Sequence, residues 1–148
     1  MFKVLIVGDK GVGKTTLIHT LTDVLRIGNP PAPTEVIQCT PNYEYLFHDT
    51  PGGIDRKILL DYVEKEGIRL VIAVFDCQSR KSYDNIEKYT DLGPPDIIVL
   101  NKSDYIGKKI TFQGECIDCS IECINNPKGI ESLVYLISEH KDGLTKSF

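Results

Sequence analysis

Eight residues near the start of the chain, Gly8-Asp9-Lys10-Gly11-Val12-Gly13-Lys14-Thr15, fit the spacing G-x-x-x-x-G-K-[ST], and their chemistry is that of a phosphate cradle. Glycines let the backbone wrap an anion with its N–H groups turned inward, and a helix starting at the end of the loop adds partial positive charge. Lys14 is expected to reach the β and γ phosphates, and the Thr15 hydroxyl to ligate magnesium. Asp9, Lys10, Gly11, Val12, Gly13 and Thr16 complete the expected phosphate-contacting set. Asp49, followed by Thr-Pro-Gly, supplies a carboxylate that can hold the metal through water, and Gly52 a backbone N–H for the γ phosphate. The third constellation is Asn101-Lys102-Ser103-Asp104. A carboxylate at Asp104 can accept two hydrogen bonds from guanine, from its ring N–H and its exocyclic amine. Adenine has no matching donor pair, so it would leave a buried charge unpaired.

These groups are far apart in sequence, and the hydrophobic patterning predicts the scaffold that gathers them. Apolar runs of strand length, "FKVLIV" (2–7), "YEYLFH" (43–48), "RLVIAVF" (69–75) and "DIIVL" (96–100), are rich in Val and Ile, as strands buried on both faces are. Helical spacing links Leu17, Ile18, Leu21, Val24 and Leu25, then Ile58, Leu59, Tyr62 and Val63, then a helix around 80–91. A further strand is expected within 109–119. The last helix carries Ile130, Leu133, Val134 and Ile137, with Asn126 as N-cap and Pro127 at its first position. This alternation predicts a single α/β domain over residues 1–148, with a mainly parallel sheet covered by helices. Three prolines in "GNPPAPTE", 28–35, predict an extended loop.

Bulk properties narrow the function classes. With 148 residues, 41% hydrophobic and 26% charged, the chain suits one hydrophobic core and excludes disordered and fibrous classes. A net charge of −4 provides no overall basic field for nucleic acid or anionic membrane. With no signal-peptide pattern, membrane-length apolar run or lipidation motif, a cytoplasmic protein without a membrane anchor is expected. The five cysteines, an odd count, argue against a disulfide framework.

"GDKGVGKT", "PAPT", "DTPG" and "NKSD", in this order and over almost the whole chain, make the sequence resemble the Ras-like small GTPases. The resemblance implies the P-loop NTPase fold, a three-layer α/β sandwich, with bound Mg-GTP or Mg-GDP, slow GTP hydrolysis and a nucleotide-dependent switch. It implies that Thr34, after Pro33, grips both magnesium and the γ phosphate, with Thr40 a weaker candidate. It assigns metal contact to Thr15, Thr34 and Asp49, base contact to Asn101, Lys102 and Asp104, and a final base contact to Ser120 and the Ile121 backbone. Effector, exchange and activating proteins are expected at residues 28–42 and 49–60, on a monomer.

The departures from the family pattern matter as much. The span from Asp104 to Ser120 is short, so the helix that follows "NKSD" is expected to be reduced to a turn. No aromatic residue lies between Thr16 and Asn42 to pack over guanine, leaving Arg26 as a stacking candidate and fast GDP release as the expectation. Gly53 stands where the family usually has the glutamine that orients the attacking water. Ile54 can only shield that position. Asp55 and His48 lie near, and His48 reads as a packing or surface residue. Lys10 is the stronger candidate for supplying charge at the β–γ bridge. Cys116, Cys119 and Cys123 suggest a metal-delivery GTPase as an alternative, but residues three apart on a strand face opposite ways, so inert thiols are expected. A GTP-binding interaction module with negligible hydrolysis is the third class, kept open by Gly53.

Overall fold

The computed structural model describes residues 1–24, 38–42, 44–76, 79–101, 117–118 and 128–143. Its centre is β1 (Phe2–Gly8), whose side chains alternate between two cores. Val4 and Ile6 face a cluster with Leu17, Ile18 and Leu21 of α1 (Lys14–Val24) and Ile130, Leu133 and Ile137 of α4 (Lys128–Gly143). Leu5 and Val7 face the opposite cluster with Leu59 and Val63 of α2 (Arg56–Glu66) and with Ile86 and Tyr89. Two apolar clusters separated by one sheet make three layers, as expected from the strand-helix alternation.

Among the described residues the sheet has six strands in the order β2-β3-β1-β4-β5-β6. β3 (Tyr45–Asp49), β4 (Leu70–Asp76), β5 (Asp96–Asn101) and β6 (Ile117–Asp118) run parallel with β1. Ile6 is in register with Asp49, Gly8 with Val74, and Asp76 with Asn101. Gly8, Asp49 and Asn101 therefore end their strands at one edge of the sheet. Ligands of open parallel sheets bind at such carboxyl ends.

The structure differs from the pattern in two places. β2 (Gln38–Asn42) is a strand that the sequence does not announce, antiparallel to β3, with Pro41 opposite Leu46. Proline cannot donate to a ladder, and an outer strand tolerates it. Thr40, the weaker of the two switch-threonine candidates, lies within β2 in register with Phe47. The helix expected over 80–91 is broken into α3 (Arg80–Asp84) and a 3-10 turn, Ile86–Lys88. Its start is held to the sheet: Ser79 caps α3 by accepting from the Ser82 N–H, and the Asp76 N–H donates to the Ser82 hydroxyl at 3.0 Å. Asn126, Pro127 and the segment after "NKSD", where a reduced helix was expected, lie outside the described residues. No helix among the described residues is long and apolar enough to cross a membrane.

Candidate functional site

The site begins where β1 gives way to the loop of residues 9–13 and α1 starts at Lys14. Leu17 N–H donates to the Gly13 carbonyl at 2.8 Å, so the first helical turn closes directly behind the loop. Lys14 is only 6% exposed, and its ammonium donates to the Asp9 carbonyl at 2.8 Å. Burial lowers its pKa, opposed by the nearby Asp49 and Asp9 carboxylates. The cation is thus packed beneath the loop with an acidic counterweight instead of ranging through solvent.

Thr15 and Asp49, 34 residues apart, meet at that point: the Thr15 hydroxyl donates to Asp49 Oδ2 at 2.6 Å. Asp49 is 3% exposed. Thr50 beside it is anchored by its hydroxyl to the Ile6 carbonyl at 2.7 Å, which ties the end of β3 to β1. A hydroxyl and a carboxylate oxygen converging at one point form a hard donor pair, the type that suits magnesium or calcium rather than a soft metal.

From the far side, Asn101 closes the loop. Its amide donates to the Val12 carbonyl at 2.8 Å with the side chain fully buried. Asn101 Oδ1 has no hydrogen-bond partner among the described residues. Val12 itself packs its side chain into the core, so it offers the site only backbone. Thr16 lies in the first turn of α1, where its carbonyl accepts from the Thr20 hydroxyl.

Gly52 and Gly53 lie against the loop. A Cβ built on Gly52 would fall 2.3 Å from Lys10 Cα and 2.4 Å from Lys10 N, so the two backbones are in contact and only glycine fits. Gly53 has φ 75° and an exposed position, and its N–H donates to the Gly8 carbonyl at 3.4 Å. Lys10 is exposed. With Gly11, Gly53, Arg56, Asn85 and Tyr89 among others, it lines a cavity of about 690 Å³ beside the loop. Gly13, Lys14 and Thr15 are absent from that lining, so the cavity flanks the phosphate cradle rather than filling it.

The neighbours considered as replacements for an orienting side chain have other work. Asp55 caps α2 by accepting from the Lys57 N–H at 3.1 Å. His48 is buried on the opposite side of β3 from Asp49, its Nδ1 2.5 Å from the Tyr62 hydroxyl, and burial lowers its pKa, with Lys3 adding to the effect. Asn85, Tyr89 and Arg56 join the site's lining without a local sequence signal. The Arg56 guanidinium donates to the carbonyls of Glu87, Lys88, Thr90 and Asp91, binding the start of α2 to the 3-10 turn. These partners lie 31 to 35 positions away, beyond the reach of any local pattern.

The structure therefore brings together Asp9 to Thr16, Asp49, Gly52 and Asn101. Thr34, Lys102, Asp104, Ser120, Ile121 and Arg26 lie outside the described residues, as do Cys116, Cys119 and Cys123. A protein-family model described as 50S ribosome-binding GTPase matches residues 3–102. The matched stretch takes in the phosphate loop, Asp49 and Asn101, and it stops short of Asp104. No curated protein matches the chain.

Proposed function

The chain belongs to the 50S ribosome-binding GTPase family, a family of P-loop GTPases, and from that premise we propose that it is a single G domain that binds Mg-GTP and Mg-GDP, hydrolyses GTP slowly and switches conformation with the nucleotide. The observation that carries this reading is the meeting of Thr15 and Asp49 at 2.6 Å beside the buried Lys14. That arrangement fits a magnesium ion held by the Thr15 hydroxyl and, through water, by Asp49, with Thr34 joining them when GTP is bound. Bound there, the metal would neutralise charge on the β and γ phosphate oxygens. Lys14 would hold the same phosphates from below, and the N–H groups of the loop would orient them. Gly52 would offer its N–H to the γ phosphate. Asn101, Lys102, Asp104, Ser120 and the Ile121 N–H would hold guanine, with Asp104 choosing it over adenine.

The switch would be read out at residues 28–42 and 49–60, the surface proposed for effector, exchange and activating partners of a cytoplasmic monomer. The net charge of −4 supports no general affinity for nucleic acid. Lys10, at the outer lip of the loop, is the candidate for extra charge at the β–γ bridge. One observation favours a second reading, a binding module with negligible hydrolysis: Gly53, exposed and without a side chain, has nothing with which to orient water.

Equilibrium titration with GDP, GTP and ADP, each with and without magnesium, tests the proposal. Guanine nucleotides should bind more tightly with magnesium, and ADP at least about a hundredfold more weakly. Equal binding of ADP would overturn the assignment of Asp104.

A further inference from the structure

Asp9 occupies a position in the phosphate loop whose side chain the motif leaves unspecified, yet its carboxylate is gripped twice. Asn85 Nδ2 donates to Oδ2 at 2.7 Å and the Tyr89 hydroxyl donates to Oδ1 at 2.5 Å. Both donors belong to the α3 side of the sheet, 76 and 80 positions from Asp9. Tyr89 is anchored in the core, 1% exposed and clustered with Leu59, Val63 and Phe75. The Gly53 N–H donates to the Gly8 carbonyl at 3.4 Å, one residue before Asp9, and Asp9, Gly53 and Tyr89 line the same cavity. The phenol thus fixes the residue before Lys10, and it is Lys10 and Gly52 whose backbones touch.

We propose that Tyr89 and Asp9, supported by Asn85, form a latch that holds the Gly52–Gly53 turn against the phosphate loop, and that Tyr89 is thereby a positioning residue for recognition of the nucleotide's terminal phosphate. The latch rests on the guanine-nucleotide reading above and deepens it. The turn is the only part of the described site proposed to touch the γ phosphate without touching the α and β phosphates. A hydrogen bond to an ionised carboxylate is among the stronger kinds, and the core behind the ring lets it act as a fixed post. In a chain whose Gly53 brings no side chain to the site, placement of the Gly52 N–H depends on backbone support, which the latch supplies.

The test compares wild type, Tyr89→Phe, Asp9→Asn and the double variant for equilibrium affinity toward GDP and toward a non-hydrolysable GTP analogue, with magnesium present, alongside urea denaturation. Tyr89→Phe keeps the buried ring and removes only the hydroxyl. It should retain GDP affinity within about twofold while the preference for the GTP analogue over GDP falls about tenfold. The double variant should lose no more of that preference than Asp9→Asn alone, because the Tyr89 hydroxyl acts only through the Asp9 carboxylate. A merely structural role would weaken both nucleotides together, and that result, or an unchanged preference in Tyr89→Phe, overturns the latch alone. Wild type that binds neither nucleotide overturns the nucleotide reading, and the latch with it.

Discussion

Asn101→Ala removes the contact that closes the phosphate loop from the far side of the sheet, together with the guanine contact proposed for the same side chain. Urea denaturation without nucleotide therefore reads the loop contact alone. The lost hydrogen bond is 2.8 Å long, its donor is fully buried, and its removal takes a donor from the Val12 carbonyl. Leaving a buried backbone acceptor without its partner costs about 1–3 kcal/mol. The substitution also removes Asn101 Oδ1, a buried acceptor with no partner among the described residues, which pulls the net loss toward the lower end. For a urea dependence of about 1–3 kcal/mol per molar, typical of small proteins, the unfolding midpoint should fall by roughly 0.5–1 M. GDP affinity should fall as well, by about tenfold for each 1.4 kcal/mol of positioning lost at the loop. Urea denaturation of the nucleotide-free protein and a GDP titration read the two effects separately. A midpoint and an affinity both equal to wild type would refute the assignment of Asn101 as the loop's clamp; a shifted midpoint with unchanged affinity would confine it to the fold.

Thr15→Ala removes the hydroxyl that meets Asp49, so GDP affinity should drop at least about tenfold in magnesium and change little in a chelator; equal losses in both would contradict a metal role. Gly53→Gln places a side chain where φ is 75° and a Cβ meets open space, so it should lower stability by about 1–2 kcal/mol for the left-handed backbone while raising the single-turnover rate of GTP cleavage; an unchanged rate would show that the missing side chain is not what limits hydrolysis. His48, lowered from its ordinary 6.5 by burial, holds a proton less tightly folded than unfolded. Stability should therefore be intact above about pH 6.5 and decline as pH falls through and below it, a slope that His48→Gln flattens in urea titrations repeated across that range.

The parallel strands β1, β3, β4 and β5 were legible because each contains a contiguous apolar run, and the phosphate loop because its glycines, lysine and threonine each answer to one physical need. Asn101 was legible as the residue after a buried strand, though not its bond to Val12, which spans 89 positions. β2 was hidden by Pro41, which argues against a strand everywhere except at an edge. The helix over 80–91 looked continuous because its apolar spacing is correct; it breaks at Asn85, whose N–H reaches the carbonyls of both Lys81 and Tyr83 and tightens the chain into the 3-10 turn. That same turn delivers Asn85 and Tyr89 to Asp9. No local pattern reports such a contact, since each partner taken alone reads as an ordinary surface polar or core aromatic residue.

The most direct test of the account is single-turnover cleavage of GTP in magnesium, with ATP and Lys14→Ala as controls. Slow release of phosphate from GTP, abolished in the variant and absent with ATP, is the predicted result. Cleavage of ATP at the same rate, or no cleavage of GTP even at high enzyme concentration, would contradict the claim that this chain is a guanine-specific hydrolase.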